Sequence, residues 1–164
     1  MDSFFQQLYD TGLATAIRES GTLFPTIESI HVLAITLVVG SIGVVDLRLL
    51  GVASRRRAVT RLTGEILPIT WTCFAIAAIT GALLFSSNAV KYTHNTWFLA
   101  KMALLGVAGI NMIIFHFITS RDIERWDESP NVPAGVRLAG ALSLTLWIAI
   151  IVCGRWIGFT MSAF

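Results

Sequence analysis

Four apolar stretches, at residues 27–50, 66–85, 97–118 and 136–157, constrain this chain more than any other feature. Each is close to the ~20 residues that an α-helix needs to cross the hydrocarbon core of a bilayer. None alternates in polarity as a transmembrane β-strand does, so the backbone polar groups have to be satisfied within each helix. With 55% hydrophobic and 13% charged residues, the chain is too apolar for a soluble domain of its 164-residue length. The expected fold class is all-α, a four-transmembrane-helix bundle with an N-terminal interfacial helix. It forms a single membrane domain over 1–164, divided into an interfacial segment at 1–25 and the bundle at 26–164.

Arginine distribution predicts the orientation, because basic residues favour cytoplasmic loops. Arg48, Arg55, Arg56, Arg57 and Arg61 gather around the loop after the first span, and Arg121, Arg125 and Arg137 around the loop after the third. The opposite side has Arg18, Lys91, Lys101 and Arg155. Both termini are therefore expected on the periplasmic side of a bacterial inner (cytoplasmic) membrane. This asymmetry accounts for the net charge of +2, which gives no reason to invoke nucleic acid. The first 26 residues lack the basic start and small-residue cleavage site of a signal peptide and are expected to remain. Within them Asp2 or Ser3 is suited to cap a short helix whose Phe4, Phe5, Leu8, Gly12 and Ala16 recur near helical spacing. That helix is expected to lie in the outer interface, as an anchor or as a lid, with Pro25 separating it from the first span. Cys73 and Cys153 differ in predicted depth by ~15 Å and are read as core residues, not as a disulfide. The segment 126–133, with Asp127, Glu128, Pro130 and Asn131, reads as a cytoplasmic loop.

Polar residues inside the spans are costly and usually mark a site. The first and third spans run in the same direction, so offsets from their outer ends translate into depth. His31 and Lys101 each lie four residues in and come out level, while Arg155 approaches that level from the far end of the fourth span. Glu28, Lys91 and His94 belong to the same side, an inventory suited to an anionic, metal-bearing ligand. His116, nineteen residues into the third span, falls ~22 Å deeper than His31, so the two cannot ligate opposite faces of one iron. Around it lie Asp46, Arg48, Asn111 and Arg121, a second polar cluster: either there are two sites, with His116 a further candidate cofactor-binding residue, or one is a site and the other a structural network.

Haem b is the cofactor expected from this inventory, since histidines within helical bundles recur as its ligands. His31 is the candidate axial and metal ligand, and Lys101 and Arg155 are candidates to pair with propionates or, for Lys101, to approach the iron. His94, in the loop 88–96, and Met161 are the candidates for a second axial ligand; otherwise the iron is five-coordinate. Gly40, Gly43, Gly106 and Gly109 are read as room for close helix approach or for a flat macrocycle. Plainer readings stand beside these. His31 can be a buried histidine bonded to Glu28 or to a neighbouring helix, His116 can cap carbonyls at a helix C-terminus, and Asp46 with Arg48 can form an interfacial ion pair.

The runs His31-Val32-Leu33-Ala34 and Asp46-Leu47-Arg48-Leu49-Leu50-Gly51 resemble the first helix of an uncharacterised bacterial four-helix membrane family. So, in order, do Leu83-Leu84-Phe85 with Asn88-Ala89 and Tyr92, Asn95 with Phe98 and Lys101, Asn111 with Phe115-His116, Arg137-Leu138-Ala139-Gly140-Ala141, and Gly154-Arg155-Trp156-Ile157-Gly158. More loosely, the order His31, Gly43, Arg48-Leu49, Lys101 and His116 is similar to that of HemJ-type protoporphyrinogen oxidase and CopD-like membrane domains. That resemblance implies a haem b bundle in which the His31 position matters for the haem. Here Asp46 precedes the Arg-Leu pair, and the methionines are scattered.

The function expected is that of a b-type haem-binding membrane protein, with electron transfer between a quinone or a periplasmic redox protein and the haem. Were it an enzyme, it would be a haem-dependent membrane oxidoreductase. The alternative is a non-redox small transporter or an accessory subunit of a larger membrane complex. As a transporter it would act as a homo-oligomer, with Asp46, Asn111 and His116 lining a path.

Overall fold

A computed structural model describes residues 2–54, 57–119, 121, 123–129 and 132–162. The expectations on Arg55, Arg56, Pro130 and Asn131 lie outside the described residues. In chain order the helices are α1 (Asp2–Tyr9), α2 (Gly12–Glu19), α3 (Leu23–Leu49), α4 (Val59–Ser87), α5 (Ala89–Thr93), α6 (Thr96–Ile114), α7 (Ile123–Trp126) and α8 (Ala134–Ser162), with a π-helical turn at Phe115–Thr119 continuing α6. Among the described residues there is no strand. Four of these segments are long and apolar enough to cross a membrane: α3, α4, α6 with its π-helical turn, and α8. The all-α four-span bundle read from the sequence is the fold.

The boundaries differ in three places. The single short helix expected near the N-terminus is two, α1 and α2, the second capped by the Thr11 hydroxyl, which accepts from the Ala14 N–H. α3 begins at Leu23, so Pro25 sits in its first turn, where its missing N–H has no helical acceptor to lose. α4 begins at Val59, seven residues before the apolar stretch, through the polar turn Thr60, Arg61, Thr63, Gly64 and Glu65. A carboxylate from a distant loop holds that turn. The Thr60 N–H donates to Asp127 Oδ1 at 2.8 Å, the Thr60 hydroxyl donates to the other oxygen, and the Val59 N–H reaches the Asp127 carbonyl at 3.3 Å. A negative charge at a helix N-terminus is favoured by the exposed N–H groups and the helix dipole. Burial pushes the Asp127 carboxyl up, but the bonds from Thr60 and Val59 and the nearby Arg48 guanidinium outweigh it and hold it below the ordinary aspartate range.

α3 packs along α4 and against α8, and α6 packs on α8. Side chains bridge these contacts at both ends. Thr70 donates to Ser41 Oγ across α3 and α4 at 2.8 Å. Asn95 donates to Thr160 Oγ1 at 2.8 Å and Asn111 to the Ala139 carbonyl at 3.2 Å, tying both ends of α6 to α8. α4 and α6 meet where Phe85 and Phe98 stack, centroids 5.4 Å apart, and have no extensive packing elsewhere among the described residues.

The close helix approaches are not at the glycines expected. A Cβ at Gly40, Gly43, Gly106 or Gly109 would meet nothing within 4 Å, whereas one at Gly140 would stand 3.0 Å from Leu49 Cβ and 3.2 Å from the Asp46 carbonyl oxygen. Gly140 is therefore what lets α8 lie against the end of α3.

α1 and the end of α8 lie at one end of the bundle, here the terminal end, and the connections from α3 to α4 and from α6 to α8 at the other, the basic end. At the terminal end α1 and α2 dock onto α4 and α5. Ala14 and Ile17 are buried, and the Arg18 guanidinium donates to the Ser87 carbonyl at 3.1 Å and the Tyr9 carbonyl at 3.2 Å while lying over the Tyr9 ring. At the basic end Leu49, Val59, Trp126 and Val136 form a small core. Gly51, at φ 71°, turns the chain out of α3. Cys73 and Cys153 are buried and free, as expected.

Candidate cofactor site

Helix geometry at the terminal end arranges polar and aromatic side chains in two layers. On α3, Glu28 and His31 are three residues apart; on α6 so are Phe98 and Lys101; on α4, Thr80 and Gly81 lie one turn below Leu84 and Phe85. The layer nearer the terminal end is aromatic. Tyr92 of α5 lies 6.0 Å from Phe85 and 5.2 Å from Phe98, and Phe5 of α1 joins Phe85 edge-on at 6.1 Å. Burial, and then the Glu28 carboxylate, push the Tyr92 phenol above its ordinary range, so Tyr92 stays protonated there.

The layer beneath holds His31, Thr80, Gly81 and Lys101. His31 Nδ1 is 2.9 Å from Thr80 Oγ1. The Thr80 hydroxyl has one proton, and it is directed to the Ile76 carbonyl at 2.7 Å, as threonines in helices commonly bond one turn back. With that proton so directed, Thr80 Oγ1 accepts from His31 Nδ1–H, the tautomer whose lone pair is on Nε2; the Ala77 backbone is a second hydrogen-bonding neighbour of the ring. Gly81 gives the ring its room: a Cβ there would come within 2.9 Å of His31 Cε1. Lys101 lies near enough to His31 and to Cys153 of α8 to act on both electrostatically, yet it makes no hydrogen bond or ion pair among the described residues. A half-buried ammonium with no carboxylate beside it is suited to an anionic ligand.

The other candidates are placed elsewhere. Arg155 is exposed, on the face of α8 opposite Cys153 and Ile157, with its guanidinium 4.6 Å from the Phe159 ring centroid. His94 is exposed and donates from Nδ1 to the Val90 carbonyl at 2.9 Å. With Met161, Lys91, Asn95 and Thr160 it lines an open cleft of about 350 Å³ that His31 does not line. The two candidates for a second axial ligand thus share a cleft with each other. His116 is exposed on the π-helical turn, packed edge-on against Phe117 at 5.0 Å. Its neighbours are structural: Arg121 donates to the Phe117 carbonyl at 2.7 Å, and Asn111 ties α6 to α8.

Asp46 and Arg48 do not form the ion pair weighed above; the ion pairs among the described residues are Arg57 with Glu65 and Arg61 with Glu65. Arg48, fully buried, donates from Nε to the Arg57 carbonyl at 2.8 Å and from Nη2 to the carbonyls of Asp127 at 2.9 Å and Ser129 at 3.3 Å. It fastens two loops to the end of α3. No group of three or more His, Cys, Asp or Glu suited to a metal ion occurs among the described residues.

Thr80 and Gly81 went unnoticed in the sequence. The available signal was a hydroxyl followed by a glycine inside an otherwise apolar stretch, a pattern that helix packing alone also produces. The chain matches a Family of unknown function (DUF6644) over residues 5–160. No curated protein and no solved structure matches it.

Proposed function

The chain belongs to that family, DUF6644, and we propose that it is a haem-b-binding membrane protein in which His31 Nε2 ligates the iron and Lys101 pairs with a propionate. The observation that carries this reading is the bond from His31 Nδ1 to Thr80. Histidines that ligate metals are held in this way, with the second ring nitrogen donating to a fixed acceptor so that the first faces the metal. A haem at this position would supply a one-electron iron couple within electron-transfer reach of the terminal end.

The chain's own residues have separate parts. Thr80 fixes the ring tautomer, Gly81 admits the ring against α4, and Lys101 offers an unpaired cation to an acidic group. The aromatic layer of Phe85, Tyr92 and Phe98 screens the site from water above. The open side between α4 and α6 gives access from the lipid. The order His31, Gly43, Arg48-Leu49, Lys101 and His116, similar to that of HemJ-type and CopD-like domains, is in keeping with haem b. In this reading the terminal end faces the periplasm of a bacterial inner membrane, as the arginine-rich basic end favours, and electrons pass to or from a quinone or a periplasmic redox protein.

Absorption spectra of protein purified from haem-supplemented cells, oxidised and dithionite-reduced, test the assignment. The natural chain and His31→Ala are compared with His116→Ala. The expected result is a Soret band that His31→Ala removes and His116→Ala leaves. A natural chain without a Soret band overturns the reading and returns the non-redox transporter or accessory subunit; loss with both variants would instead point to two haems.

A further inference from the structure

A second ionisable group lies at the contact of α3 and α8 that the haem reading does not use. Asp46 is 4% exposed, and its Oδ2 has no hydrogen-bond partner. The Ser143 hydroxyl of α8 lies close enough to act on the carboxyl as a hydrogen-bond donor. The contact around it is tight, because the Asp46 carbonyl and Leu49 Cβ both stand at the position a Gly140 side chain would occupy.

Among the described residues this carboxyl forms no ion pair. α8 carries no charged residue between Arg137 and Arg155, and α4 carries none after Glu65. Arg48, two residues on along α3, points its Nε and Nη2 into the loop carbonyls, while its buried Nη1 has no hydrogen-bond partner among the described residues. Lys101 belongs to the other layer, and His31 near it is ~22 Å from Asp46 by helix rise. A metal cation stripped of water needs about six oxygen donors. The side chains here offer one carboxyl and one hydroxyl, and no cluster of three acidic, histidine or cysteine ligands accompanies them among the described residues. An uncompensated carboxylate in such surroundings takes up a proton instead.

We propose that Asp46 is a proton-binding site, a neutral carboxylic acid held at the α3–α8 contact by Ser143. It exchanges its proton with water at the basic end, since it stands one turn before the end of α3. The assignment is independent of what His31 binds.

Infrared spectroscopy of the full chain in lipid vesicles tests it, in H₂O and in D₂O. A protonated carboxyl stands out by its C=O stretch on the high-frequency side of amide I, where an ionised carboxylate does not absorb. The natural chain should show that band at neutral pH, shifted down in D₂O and lost in Asp46→Asn, whose amide keeps the shape of the neutral acid. Ser143→Ala should shift the band by removing its hydrogen-bond donor, and this comparison decides the matter if Asp46→Asn does not fold. A natural chain without the band, a band that survives Asp46→Asn, or a band that Ser143→Ala leaves unmoved would overturn the proposal.

Discussion

His31 illustrates how a single residue's meaning depends on two neighbours that are remote in sequence. Thr80 supplies the acceptor for Nδ1, and Gly81 supplies the space for Cε1. Thr80→Val keeps the volume and removes the acceptor, so the helices should still pack while the imidazole loses its fixed orientation. Loss of such a supporting bond typically weakens metal affinity about 10–100-fold, and haem titration of the purified variant should read a loss of that size. Gly81→Ala acts differently, forcing the ring or α4 to move. An overpacked contact costs about 1–3 kcal/mol, so a lowered melting temperature should accompany any loss of haem, whereas Thr80→Val should lose haem with little change in melting. The level of His31 and Lys101 was legible from their equal offsets in parallel spans. Their surroundings were not, because a threonine in a membrane helix is satisfied by its own turn whether or not it also receives a histidine. Nor does sequence spacing tell which face of α8 turns Arg155 outward.

At the scale of elements, the spans were legible because the lipid demands long apolar runs whatever their partners. The start of α4 was not. Residues 59–65 are polar enough to read as loop, and what makes them helical is a carboxylate supplied from 127, far along the chain. That dependence has a pH signature. The Asp127 carboxyl is held below its unfolded value, so its contribution is complete above the ordinary aspartate range and is lost as the pH falls through the lower folded value. The natural protein should therefore lose melting temperature on acidification through that window. Asp127→Asn should be less stable at neutral pH, by about 1 kcal/mol for a weakened helix N-terminus, and should show a flatter acid limb. Equal acid slopes in the two proteins would contradict this account of α4. The docking of α1 and α2 onto α4 and α5 was likewise hidden, since a surface anchor and a packed cap share the same short amphipathic pattern.

For the whole molecule, the order in which the helices pack could not be read from the four spans. Lipid-facing and partner-facing sides are both apolar, so neither carries the polar stripe that orients helices in a water-soluble bundle. Glycines are no substitute: those on α3 and α6 face open space, and the contacts fall at Gly81 and Gly140. The resulting arrangement has α3 between α4 and α8, with α6 resting on α8, and it leaves the side between α4 and α6 open beneath the Phe85–Phe98 stack. His31 and Lys101 lie at the terminal end of this arrangement, and Asp46 and Arg48 lie at the basic end. The central claim is that His31 holds haem iron through Nε2, and the most direct measurement is the reduced spectrum of His31→Gly purified with haem, recorded before and after addition of imidazole. Iron ligation by His31 predicts a lost or shifted Soret band that free imidazole restores; a band unchanged by His31→Gly and indifferent to imidazole would contradict it.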